Sequence, residues 1–219
     1  MTGTLVREEL ASAEPTLLKR GRGAKPDVLL VKRSGGDTVV VKDYSQRSGW
    51  VRRWLAPHAV AREQRVHEAL RDHISVPRVL GRVDPLALVL EYREGEPLSR
   101  SLASRLGEER AAQFALKLED AVAQMHRCGV VHLDLRHRDN ILCDEQAQPV
   151  LLDFVAAMCF RPGSFWYRWY RPTVLIYDEY ALSKWRDRLQ PGAQPRPHSL
   201  WRRLRSALKR FRQTPPRES

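Results

Sequence analysis

Apolar alternation broken by glycine-rich turns, then long helical periodicity, then a short apolar hairpin together predict an α+β fold: a small antiparallel sheet with one helix in front, and a mostly helical portion behind. The sheet is read from residues 17–45. Leu17-Leu18 leads into Gly21-Arg-Gly-Ala-Lys-Pro-Asp27, Val28–Arg33 is followed by Ser34-Gly-Gly-Asp37, and Thr38–Lys42 closes the set. Pro57–Asp72 carries helical spacing through Val60, Val66 and Leu70. A strand over 76–83 follows, then the turn at Asp84-Pro85 and an apolar strand from Leu86 that breaks into the polar segment Glu91-Tyr-Arg-Glu-Gly95. A short helix over Leu98–Leu106 precedes a longer one over Glu108–Arg127, which has Phe114, Leu116, Leu118, Val122 and Met125 as its apolar positions and stops at Gly129. Tyr177–Leu189 reads as a last helix of this portion.

The chemistry concentrates in Val131-His-Leu-Asp-Leu-Arg-His-Arg-Asp-Asn-Ile-Leu-Cys143 and in Leu151-Leu-Asp-Phe154. Ile141–Cys143 and Pro149–Leu152 read as two strands joined by a turn, which returns Asp153 to the side of Asn140. A carboxylate and an amide so gathered offer hard oxygen ligands to magnesium, and the other carboxylate can accept a proton from a hydroxyl.

These residues resemble the catalytic loop and metal segment of the protein-kinase-like superfamily, H-R-D-L-x-x-x-N followed by D-F-G. The resemblance implies a reduced bilobal kinase-like fold using ATP and Mg2+. It gives Asp134 the part of catalytic base, Asn140 and Asp153 that of metal ligands, and Arg136 stabilisation of charge on the transferring phosphoryl group. Five residues separate Asp134 from Asn140 where the pattern has four. Either the loop carries one extra residue or Asp139 takes the amide's place, and the position of Asn140 directly before Ile141-Leu142 favours the first. Val155 stands where the family has the glycine of its D-F-G.

The same resemblance extends upstream. Gly21, Gly23 and Val28 match the glycine-rich phosphate loop, with Pro26 in place of its third glycine. Lys42 matches the lysine of the third strand, and Glu63 its helix partner at close to the usual separation, with Glu68 as the fallback. Leu90 takes the gatekeeper place, main-chain groups of Glu91 and Arg93 form the adenine hinge, and Leu142 joins the nucleotide-binding set. The expected units are residues 1–91, a reduced second lobe over 92–190, and a linker and tail over 191–219.

The stretch that follows Asp153 is too short for the activation segment and peptide-binding helices of ordinary protein kinases. That favours small atypical types, either RIO-type or bacterial lipopolysaccharide kinases acting on Kdo or heptose. The second suits the arginine-rich loop and the aromatic, basic run Phe160–Pro172. The expected acceptor is therefore a sugar hydroxyl on a glycolipid. A RIO-type Ser/Thr kinase and an inactive pseudokinase that binds a membrane or partner are the alternatives.

Net charge is +12, and more than half of it lies between Arg196 and Ser219. Within that stretch, 199–212 places six cations around Leu200, Trp201, Leu204, Leu208 and Phe211 at helical spacing, the composition of a helix on anionic lipid. A docked helix and an RNA-binding tail are the competing readings, with nucleic acid the weaker. Cys128, Cys143 and Cys159 are too few and too scattered for a disulfide framework or a zinc site. No apolar run resembles a secretory signal. The expectation is a cytoplasmic protein attached peripherally to the inner face of the membrane.

Overall fold

The computed structural model of the chain describes residues 5–33, 35–161 and 165–190. Its front is a five-stranded antiparallel sheet in the order β1-β2-β3-β5-β4, built from β1 (Thr16–Lys19), β2 (Asp27–Lys32), β3 (Thr38–Asp43), β4 (Val79–Asp84) and β5 (Ala87–Glu91). Period-2 alternation gives β3 two different faces. Val39 and Val41 turn to one side and pack with Val31, Ala87 and Val89. Val40 and Leu90 turn to the other, beside Tyr44, Val51, Ala56 and Val60. Lys42 shares the parity of Val40, which carries an ammonium group onto the face toward the back of the molecule.

The outer face is covered by α1 (Arg7–Ser12), with Leu5 and Leu10 buried in that cluster. Arg7 ties the helix down through Asp43 (2.7 Å) and Asp84 (2.5 Å). The sequence reading placed no helix there. A π-helical turn (Val51–Leu55) then runs into α2 (Ala56–Ala69), where Pro57 sits in the first turn and needs no backbone donor. Val60, Glu63, Val66 and His67 make the buried face of α2.

Behind lies α3 (Arg100–Arg127), capped by the Ser99 hydroxyl, which accepts the Leu102 N–H at 3.0 Å. Gly107 interrupts it at φ 76°, ψ 164°, so the two helices predicted around that position are present, joined at a kink. Phe114, Leu118, Val122 and Met125 enter the largest core with Leu135, Ile141, Leu151, Phe154 and Trp185. The predicted hairpin is β8 (Ile141–Cys143) with β9 (Pro149–Leu151), and β6 (Glu96–Pro97) adds a third strand. The apolar strand read from Leu86 is β5, and it breaks at Glu91 into the segment that crosses between the sheet and the helical portion and leads to β6. Gly95 in that segment has no room for a side chain, since a Cβ there would lie 2.9 Å from the Leu142 Cβ.

Short strands β7 (Val130–Val131) and β10 (Met158–Cys159) pair beside the hairpin. The last helix, α4 (Phe165–Leu189), starts well before the predicted one, so part of the aromatic and basic run is helical. The tail read as an amphipathic helix lies outside the described residues. Among the described residues no helix is long and apolar enough to cross a membrane.

Candidate active site

A cavity of about 570 Å³ opens between the sheet and the helical portion. Val28, Val40, Leu90 and Leu142 give it apolar walls, Glu91–Arg93 form its rim, and Lys42, Asp134, Asn140 and Asp153 bring its charged and polar groups. Gly21 lines it as well. Glu63 reaches it through Lys42. Gly23, at φ +60°, and Arg136 are not on its wall.

The glycine loop is folded on itself. The Gly21 N–H donates to Asp27 Oδ1 (2.7 Å), Arg47 donates to the Gly21 carbonyl (2.6 Å), and the same guanidinium meets Asp27 Oδ1 at 2.8 Å. A Cβ at Gly21 would lie 2.2 Å from the Lys25 carbonyl oxygen, which is why glycine is required at this position. The first glycine N–H, read from sequence as a phosphate donor, is therefore engaged by the chain's own carboxylate. Arg47 and Asp27 were not singled out in that reading.

Lys42 donates to Glu63 Oε1 at 2.5 Å and to Asp153 Oδ1 at 2.9 Å. Lys42 and Glu63 are both buried. Burial alone would lower the ammonium pKa, but the charges of Glu63 and Asp153 outweigh it and hold Lys42 above its ordinary value. For Asp153 burial pushes upward, and Lys42 more than reverses this, so the carboxyl sits below its ordinary value. Asp153 is held in the left-handed region (φ 64°, ψ 69°), a conformation worth roughly 1 kcal/mol of strain in a non-glycine residue. The next residue secures that turn: Phe154 is fully buried with its ring 5.0 Å from that of His67 and 4.7 Å from that of His132.

Asn140 Nδ2 donates to the Asp134 carbonyl at 2.9 Å and lies 3.3 Å from its Oδ2. The Leu152 N–H donates to the Asn140 carbonyl (2.9 Å), joining the loop to the strand that delivers Asp153. Residues Arg138–Asn140 form a 3-10 turn. Of the two candidates for the amide's place, Asn140 contacts Asp134, while the Asp139 carboxylate turns toward Arg138 (3.4 Å). Arg136 Nε and His137 Nε2 lie 3.7 and 3.4 Å from Asp134 Oδ1, at the exposed mouth.

The catalytic loop is held from behind by α4, a role sequence reasoning missed. Asp178 is fully buried. Its carboxylate accepts the His132 and Leu133 N–H groups, each at 2.8 Å, and meets His126 Nε2 at 2.9 Å. Leu133, at φ 68°, is a second left-handed residue fixed by this contact. The Trp185 indole donates to the Leu135 carbonyl and Lys184 to the Arg136 carbonyl, both at 2.8 Å. The available signal was an aspartate in helical register with Ala181 and Trp185, on the face that the apolar residues mark as buried.

His67 donates from Nδ1 to the Pro77 carbonyl and His132 from Nε2 to the Leu152 carbonyl. Burial lowers both pKa values below 6.5. Below that pH the unfolded chain takes up protons that the folded one refuses, so stability should fall as pH drops from 7.5 to 5.5, by up to about 1.4 kcal/mol per pH unit for each ring. Asp153, being depressed, adds its own loss only at lower pH, as the medium falls below about 3.8. Urea midpoints across that interval should slope upward with pH, and His67→Phe should remove part of the slope.

The chain was compared with known proteins. The family profile described as Protein kinase domain matches residues 16–181. Serine/threonine-protein kinase PAK 4 of Mus musculus is 30% identical over 139 residues, 63% of this chain and 23% of that protein. CBL-interacting protein kinase 25 of Oryza sativa subsp. japonica is 30% identical over 131 residues, 56% of this chain and 25% of that protein. Putative cyclin-dependent kinase F-2 of the same plant is 30% identical over 174 residues, 72% and 53% of the two chains. The chain thus spans about a quarter to a half of the length of these relatives. Since the matched segment begins with β1 and ends within α4 beyond Asp178, it takes in every residue that lines the cavity, and the chain belongs to the protein kinase domain family.

Proposed function

We propose that this chain transfers the γ-phosphoryl group of ATP to a hydroxyl, and that the acceptor is a sugar hydroxyl of a glycolipid at the inner face of the cytoplasmic membrane. The observation that carries the reaction type is Lys42, clamped between Glu63 and Asp153 in a cavity that Asp134 and Asn140 also line. The apolar walls suit a purine. The Glu91 N–H is spent on the Arg78 carbonyl (2.9 Å), so the adenine contact at that residue falls to its carbonyl oxygen.

Asp153 and Asn140 fit a hard cation shared with phosphate oxygens, because one exposed carboxylate edge and one amide leave most of the coordination shell to the nucleotide and water. Magnesium bound there neutralises charge on the phosphates. Lys42 orients the α and β phosphates, and its attachment to Glu63 keeps it from collapsing fully onto Asp153. Asp134 receives the proton of the acceptor hydroxyl as the new O–P bond forms and the bond to the leaving ADP oxygen breaks. Arg136, at the mouth, can follow the developing charge once a substrate covers it.

The acceptor class rests on different features. Only the strand β10 lies between the turn at Phe154–Ala156 and α4 among the described residues, which leaves little surface for a peptide. Arg136 and His137 lie within 4 Å of Asp134 Oδ1 and are both exposed, which suits an anionic sugar. Phosphorylation of Ser or Thr is the second reading, favoured by the relative described as a serine/threonine-protein kinase.

Purified chain with magnesium and radiolabelled ATP should label a lipid-soluble product in a bacterial lipid extract, and Asp134→Ala and Asp153→Ala should both abolish the label. Label appearing only in protein would move the acceptor to Ser or Thr. No label anywhere, with no ATP binding in the presence of magnesium, would make the chain a kinase-shaped binding module.

A further inference from the structure

Residues 44–62 contain four arginines and no aspartate or glutamate. Within this acid-free stretch the π-helical turn exposes three large apolar side chains: Trp50 is 63%, Trp54 58% and Leu55 39% accessible. Spaced i, i+4 and i+5, they fall on one side of the turn. Arg52 and Arg53 are also exposed, and Arg53 lies over the Trp54 ring at 5.6 Å. Neither arginine makes an ion pair among the described residues.

The patch is not a loose loop. Val51, inside the turn, and Ala56, at the start of α2, are buried against Tyr44, Leu88 and Leu90, so the backbone is anchored to the sheet while the indoles face water. Exposed aromatic clusters of this kind mark interaction sites. Indole rings flanked by guanidinium groups, with an aliphatic neighbour that offers no hydrogen bond, match the boundary between lipid headgroups and acyl chains. The surrounding lack of acidic groups sets the sign of the partner.

We infer that the turn at Trp50–Leu55 is a docking site for an anionic phospholipid bilayer, with Trp50, Trp54 and Leu55 entering the interface and Arg52 and Arg53 meeting lipid phosphates. This site is separate from the basic tail and independent of which hydroxyl is phosphorylated. It lies at the start of the helix that carries Glu63 to Lys42, so a bound surface holds the element on which the site's lysine depends.

The test is co-sedimentation of the full chain, without nucleotide, with vesicles of phosphatidylcholine containing about one third phosphatidylglycerol and with vesicles of phosphatidylcholine alone. Wild type should partition to the anionic vesicles, and Trp50→Ser/Trp54→Ser should weaken that partitioning about tenfold or more, with an unchanged unfolding midpoint. Arg52→Glu/Arg53→Glu, which leaves the apolar residues in place, should weaken it by a similar factor and reduce its dependence on salt. Equal partitioning of wild type and both variants would overturn the site. Equal binding to neutral vesicles would overturn its anionic character. Self-association of wild type that the tryptophan variant abolishes, without any change in vesicle binding, would reassign the patch to a second copy of the chain. Because no phosphoryl transfer is read, failure here and failure of the kinase reaction are distinguishable.

Discussion

Replacing Lys42 by methionine is expected to lower phosphoryl transfer at least about a thousandfold and to destabilise the fold by about 3–5 kcal/mol. Both effects come from one geometry. Glu63 is 1% exposed and meets the Lys42 ammonium at 2.5 Å. Methionine fills nearly the same volume, so little cavity is created, but a buried carboxylate loses its counter-charge. Asp153 is 35% exposed at its side chain and can recruit water, so most of the stability loss belongs to Glu63. The double variant Lys42→Met/Glu63→Leu separates the two effects. It should regain most of the lost stability in urea titrations, because replacing both members of a buried pair by apolar groups is often neutral, while transfer stays absent. A Lys42→Met protein as stable as wild type would show that Glu63 finds another partner.

The second large effect is expected at Asp178, which lies far along the chain from Asp134, the proposed base, whose loop it supports. Asp178→Ala should cost about 3–5 kcal/mol, since two buried backbone N–H groups lose their acceptor at roughly 1–3 kcal/mol each. It should also reduce turnover about a hundredfold or more, because Leu133 would no longer be held in its left-handed conformation just before Asp134. The apparent affinity for ATP should change far less, since Lys42, Asp153 and the hinge do not touch this contact. Steady-state kinetics that divide the loss between kcat and KM check the assignment. A fall in nucleotide affinity as large as the fall in turnover would point to general unfolding instead. Asp178→Asn, with one acceptor oxygen where the carboxylate offers two, should fall between wild type and alanine in both stability and turnover.

The comparison of sequence with structure divides along contact range. Strand alternation in β2 and β3, the buried face of α2 and the 141–151 hairpin are local patterns, and each was readable from its own segment. The groups read from sequence as the lysine, its glutamate, the loop aspartate, the amide and the hairpin aspartate converge on one cavity because each ends or adjoins such a segment. Contacts made at a distance were not readable. Nothing near Gly21 announces that its carbonyl will be met by the distant Arg47, or that Asp27 will take its N–H. The helix α1 is a single short turn and a half with one buried apolar residue, below what periodicity can register, and is stabilised by Arg7 reaching Asp43 and Asp84. Asp178 looked like an ordinary polar residue of a helix until its partners, the main chain at 132 and 133, were placed.

The support given to the loop by α4 also bears on how the molecule comes into being. Every residue proposed to touch substrate has been synthesised once the chain reaches Asp153, yet the carboxylate that receives the main chain at 132 and 133 belongs to Asp178, and the indole that reaches the Leu135 carbonyl belongs to Trp185. On a ribosome the nascent protein therefore passes through an interval in which the proposed reacting groups are all present and the loop still lacks its support from α4. A chaperone meeting the chain in that interval would find the sheet able to form and the catalytic loop still open. The last of the described helices to emerge is the one that closes it.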